Sequence, residues 1–135
     1  MSLSEMYEWR SHTAEVELAI DTESEEAVFA EAAVAFGELV GGDEPGEAAE
    51  HDVTIEASDR DALLVQWLEE LIFLADTQSF VPQDVRDIRL DGNGLRATLA
   101  GRRAPLEPLV KAATYHGLRF VQEDGVWHAR VVLDV

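Results

Sequence analysis

Leu63, Leu64, Trp67, Leu68, Leu71 and Ile72 recur at intervals of one, three and four, the stripe of an amphipathic helix. Such a helix is stable only once its stripe is buried, so the rest of the chain must supply a layer to cover it. Ser58, with Asp61 three residues on, has the spacing of a capping box with Asp in place of Glu, and the pattern runs out near Asp76. A second stripe, Val28, Phe29, Ala32, Ala33, Phe36 and Val40, follows Ser24, which can cap it. Glu25 and Glu26 suit the positive end of that helix, and Gly41 supplies a stop.

The covering layer is read from segments of period two. Glu15–Ile20 alternates, with Val16, Leu18 and Ile20 on one face, and Asp52–Ala57 reads as a strand through Val53 and Ile55. Val85–Leu90 and Leu95–Ala100 flank Asp91-Gly92-Asn93-Gly94, a hairpin signal because both glycines tolerate positive φ. Leu118–Gln122 and Val126–Leu133 flank Asp124-Gly125 in the same way. Val110–His116 between the hairpins is expected to be extended, since Pro105 and Pro108 just upstream oppose a long helix. Val40–Glu50, rich in Gly, Pro and acids, reads as a solvated loop. No internal repeat or long linker divides the chain. The expectation is an α+β fold in one domain over residues 1–135: two amphipathic helices packed on a mainly antiparallel or mixed β-sheet sandwich.

Charge narrows the function. Twenty-eight acids face ten Lys+Arg, a net charge of −18, and Lys111 is the single lysine. That charge repels nucleic-acid backbones and anionic membrane surfaces, so little direct nucleic-acid binding and no membrane partner are expected. A basic protein partner or a hard cation is favoured instead, although the same acids also make an ordinary solvated face. The chain has no cysteine, which excludes disulfides, thiolate zinc sites and cysteine nucleophiles and fits a cytoplasmic location. The N-terminus lacks the basic flank and apolar run of a signal peptide, and the apolar clusters break well before the ~20 residues that span a bilayer.

No GxxxxGK[ST], GxGxxG, GxSxG or HExxH motif occurs. Three polar clusters remain in apolar surroundings: Ser11-His12-Thr13-Ala14-Glu15, Asp76-Thr77, and Thr114-Tyr115-His116 with the closing Leu133-Asp134-Val135. Each has an ordinary explanation. His12 can be a turn histidine, Asp76 a solvated helix end, Asp134 an outward residue of an alternating strand, and His51 and His128 plain surface histidines. Asp76 is nevertheless badly placed at the negative end of a helix dipole. Should the clusters converge, Glu15, Asp134 and the terminal carboxylate of Val135 are oxygen ligands suited to Ca²⁺, Mg²⁺ or Mn²⁺, with a histidine ligating or orienting. Spacing alone does not establish this, because the residues lie far apart in the chain.

At these residues the chain resembles the archease family. The resemblance runs through His12-Thr13-Ala14-Glu15, then Ala62 to Leu71 with Asp76-Thr77, then Val110 to Leu118, Trp127 and Val131 to Val135. It implies an accessory protein, not itself an enzyme, that assists the GTP- and Mn²⁺-dependent ligase of tRNA splicing and RNA repair. Such proteins promote guanylylation of the ligase and its multiple turnover, and some are linked to tRNA methyltransferases. The resemblance further implies a metal site at Glu15 and Asp134, and a functional surface including His12, Asp76, Lys111, Thr114 and His116. The family usually has Asp where Glu15 stands, one methylene shorter, and a histidine near Pro105-Leu106-Glu107-Pro108. Two other expectations compete: a chaperone-like modulator of tRNA-modifying enzymes, and a small metal-dependent hydrolase using His12 or His116 as general base.

Overall fold

The Leu63–Ile72 stripe lies in α2 (Arg60–Gln78), in a computed structural model that describes residues 6–12, 15–106 and 109–135. Its cap is Asp59, not Ser58: the Asp59 carboxylate accepts from the Ala62 amide at 2.8 Å. Asp59 is the better cap because its charge also suits the helix's positive end. Ser58 lies outside the helix, its carbonyl accepting from the Asn93 side chain at 3.0 Å. The second stripe forms α1 (Glu25–Gly41), and Ser24 caps it as expected, accepting from the Ala27 amide at 3.2 Å.

Seven strands are described: β1 (Tyr7–His12), β2 (Glu15–Thr22), β3 (Glu47–Glu56), β4 (Phe80–Asp91), β5 (Gly94–Arg103), β6 (Ala112–Glu123) and β7 (Val126–Asp134). They divide into two sheets, ordered β1-β2-β7-β6 and β3-β5-β4, with every pairing antiparallel. Both helices touch both sheets: α1 packs on β2, β7 and β4, and α2 on β6, β3, β4 and β5. A helix gripped from two sides buries more than one stripe, which is why Ala35, Gly37, Val65, Leu74 and Ala75 join the buried set. Trp67 is fully buried between them, and its indole N–H donates to the Phe29 carbonyl at 2.9 Å, tying α2 to α1.

Several boundaries differ from the sequence reading. Tyr7–His12 is a strand that its acid-rich surroundings conceal, formed because it pairs with β2 residue for residue from Tyr7–Ile20 to His12–Glu15. The stretch read as a loop from Val40 to Glu50 is a short turn: α1 continues to Gly41, and β3 already begins at Glu47. There Glu47 lies opposite Arg103 and Ala49 opposite Gly101, so cross-strand pairing overrides the weak strand propensity of Ala and Glu. The two hairpin turns are of opposite kinds. Gly92 has positive φ but Asn93 does not, the pattern of a type II′ turn, whereas Asp124 and Gly125 are both positive, as in type I′.

Candidate functional site

The four-stranded sheet has one face on the core. Val16, Leu18 and Ile20 of β2 stand opposite Leu133, Val131 and Ala129 of β7, and all but Val16 are buried. Because side chains alternate, Glu15 and Asp134 belong to the other face, and they are direct cross-strand partners at its end. Directly opposite residues have Cβ atoms about 4.5–5.5 Å apart, so two carboxylates nearly 120 positions apart in sequence become neighbours. Val135 follows Asp134 and is half-buried.

The same row extends in both directions. His12 is the backbone partner of Glu15 on β1, and Ala112 is the partner of Asp134 on β6. Nothing beyond its backbone place is described for His12, and Thr13 and Ala14 lie outside the described residues. Lys111, one residue before Ala112, is exposed, and its amide donates to the Asp134 carbonyl at 2.8 Å. The only lysine of the chain is thus fastened by its backbone to the strand end that carries Asp134.

Asp76 is exposed in the last turn of α2. It borders a cavity of about 40 Å³ with Phe36, Ile72, Ser79, Leu109 and Val110, which brings it to the segment leading into Lys111. Thr77 turns back on its own helix, its hydroxyl donating to the Phe73 carbonyl at 2.7 Å.

Thr114 and His116 lie further along β6 at an irregularity. The ladder passes from Thr114–Val132 to Arg119–Arg130, so β6 has extra residues between the two pairs. Gly117 supplies the positive φ this needs, and the Thr114 hydroxyl accepts from the His116 amide at 3.1 Å. Thr114 therefore has a structural task at the bulge, and His116 projects from it exposed. Tyr115, also in the bulge, is exposed. His51 packs edge-on against Phe80, and His128 pairs with Asp21 at 2.5 Å. Among the described residues, no three His, Cys, Asp or Glu side chains assemble as a metal-binding group.

One residue that sequence reasoning left without a role is Glu69. Its carboxylate accepts from the Ala113 amide at 3.0 Å and so pins the start of β6 to α2. Its signal was faint, since it differs from the neighbouring Glu70 only in which way the helix turns it.

Among the described residues, no helix is long and apolar enough to cross a membrane. Residues 7–135 match the model of a family described as the archease protein family (MTH1598/TM1083). A protein from Methanosarcina mazei named "Protein archease" is 31% identical over 144 residues, covering 99% of each chain. The solution structure of protein 1598 of Methanobacterium thermoautotrophicum superposes with a TM-score of 0.75 and 32% identity, covering 97% of this chain and 99% of that one. A crystal structure from Thermotoga maritima, described as an archease and possible chaperone, gives a TM-score of 0.67 over 93% of this chain and 94% of that one. At 23% identity that likeness shows the fold.

Proposed function

The chain belongs to the archease family, and on that premise we propose that it activates a GTP- and Mn²⁺-dependent RNA ligase of tRNA splicing and RNA repair, without being an enzyme itself. The observation that carries the reading is the direct opposition of Glu15 and Asp134 at one end of the four-stranded sheet. Like charges so placed destabilise a sheet unless a counter-charge sits between them. The donors are all carboxylate oxygens, the set preferred by Ca²⁺, Mg²⁺ or Mn²⁺. Glu15 and Asp134 would hold such an ion and leave its other positions to water or to groups of a partner. When bound, the ion would supply positive charge and coordination positions at which oxygen ligands exchange.

The chain's own residues then have separable tasks. Glu15 and Asp134 bind, the hydrogen bond from the Lys111 amide to the Asp134 carbonyl fixes the strand end, and the exposed Lys111 brings the only lysine of the chain to that end. A net charge of −18 steers the protein toward the basic RNA-binding surface of a ligase. The description of the Thermotoga relative as a possible chaperone fits a protein that acts on partners; a tRNA methyltransferase, which the family resemblance implies, is a further candidate partner.

The test is to mix the purified chain with the RNA ligase of the same organism, GTP and Mn²⁺, and to follow the covalent guanylylated ligase. The reading expects faster guanylylation and more ligation cycles per ligase. Unchanged values at a several-fold excess of the chain would contradict it.

A further inference from the structure

Residues Glu69, Phe73 and Asp76 stand at i, i+4 and i+7 of α2, one above another on a single strip of its surface. Both ends of that strip are located against the segment entering β6. Glu69 accepts from the Ala113 amide, and Asp76 shares the wall of a small cavity with Leu109 and Val110. As α2 rises from Glu69 to Asp76, the facing chain runs back from Ala113 to Leu109. Phe73 lies on the strip between these two contacts.

Phe73 is 56% exposed and Leu109 42% exposed. Scattered apolar residues at a surface are ordinary. These two are not scattered: Phe73 stands on the strip and Leu109 on the segment that meets its Asp76 end, and that segment leads into Lys111, the only lysine of a strongly acidic chain, whose amide donates to the Asp134 carbonyl. Glu70 and Asp76, each three residues from Phe73 on α2, put carboxylates at the edge of the apolar area. An aromatic anchor within a charged rim is the arrangement in which a few side chains carry most of a protein–protein binding energy.

We infer that Phe73 and Leu109 form the apolar anchor of a docking surface, and that its occupant is a protein presenting an apolar pocket bordered by Lys or Arg. The rim decides the occupant. Its carboxylates, on a chain of −18, repel nucleic acid and acidic proteins, and they complement the basic surroundings of an RNA-handling enzyme. The inference rests on the proposed function and adds to it the residues that grip the ligase. Docking by Phe73 and Leu109 is separate from the carboxylates Glu15 and Asp134, which would act after docking.

The experiment uses the full chain and the purified RNA ligase of the same organism. Affinity is measured by titration calorimetry, and guanylylation is followed as a function of chain concentration, for wild type, Phe73→Ala and Leu109→Ala. Thermal unfolding of each variant shows whether it is folded, and both side chains are exposed enough for folding to survive. The expected result is an affinity weaker by about ten-fold or more for each variant. Guanylylation should recover to the wild-type plateau at high concentration of the variant. Wild-type affinity in both variants overturns the docking inference and leaves the proposed function standing. A wild-type chain that neither binds nor stimulates the ligase overturns both.

Discussion

Glu15 and Asp134 are direct cross-strand partners between β2 and β7, on the face of the sheet opposite the buried Leu18, Ile20, Val131 and Leu133. This opposition of two carboxylates affects stability even without a ligase.

In a chelator, Asp134→Asn removes one of two opposed like charges and should stabilise the protein by about 0.2–1 kcal/mol. Millimolar Ca²⁺ or Mn²⁺ should raise the unfolding temperature of the wild type, since a ligand that binds only the folded state stabilises it by mass action. The Asn variant should show little of that rise. Differential scanning fluorimetry with and without each ion measures both effects, and equal ion responses in the two proteins would remove the carboxylate pair as the site.

The cap of α2 separates two neighbouring residues. Asp59→Ala should cost about 1 kcal/mol, because the Ala62 amide loses its acceptor. Ser58→Ala should be close to neutral, as the Ser58 carbonyl and not its hydroxyl is engaged. Urea unfolding of the two variants distinguishes them, and a larger loss for Ser58→Ala would reverse the assignment.

The fold was legible where local signals and tertiary contacts agree. Trp67 and Phe36 sit at helical spacing and are buried, and Asp124-Gly125 makes the turn its residues favour. It was hidden where long-range pairing decides. Ala48 and Ala49 are strand residues only because β5 lies alongside with Arg102 and Gly101, and nothing local marks Tyr7–His12 as the partner of β2. The division into two sheets was equally invisible, since no sequence period records that a helix is covered on two sides.

Gly37 tests the close approach of α1 to β4. A Cβ there would fall 1.9 Å from the Pro82 carbonyl oxygen, too near for any side-chain rotation to relieve. Helix propensity favours Gly37→Ala by up to about 1 kcal/mol, whereas a forced backbone shift costs about 1–3 kcal/mol or more. Packing should win, and urea unfolding should show a net loss; a gain would mean that the two elements separate easily.

Glu31 on α1 has its carboxyl pushed above the ordinary value of 4.5 by burial. A carboxyl whose folded value is raised costs stability once it ionises. The cost is absent below the unfolded value, develops as pH rises toward the raised folded value, and persists above it. Glu31→Gln should therefore be the more stable protein at pH 7, and the difference should close as pH falls toward 4. Unfolding curves across that range test the sign, and a variant less stable at pH 7 contradicts it.

The candidate site was partly legible. His12, Glu15, Lys111 and Asp134 stand out as polar residues at the ends of apolar runs, and the sheet register links their backbones at one strand end. Thr114 and His116 carried a similar signal, yet a bulge accounts for the Thr114 hydroxyl. Phe73 and Leu109 carried none. An apolar residue looks the same in sequence whether it faces the core or solvent, and only the packing of α2 on β6 reveals which.

The most direct test of the central claim is the guanylylation rate of the partner ligase with saturating wild-type chain and with the Glu15→Ala/Asp134→Ala double variant, at fixed GTP and Mn²⁺. The account predicts stimulation by the wild type and a rate near that of ligase alone with the double variant, although that variant still binds through Phe73 and Leu109. Full stimulation by a folded double variant would contradict it.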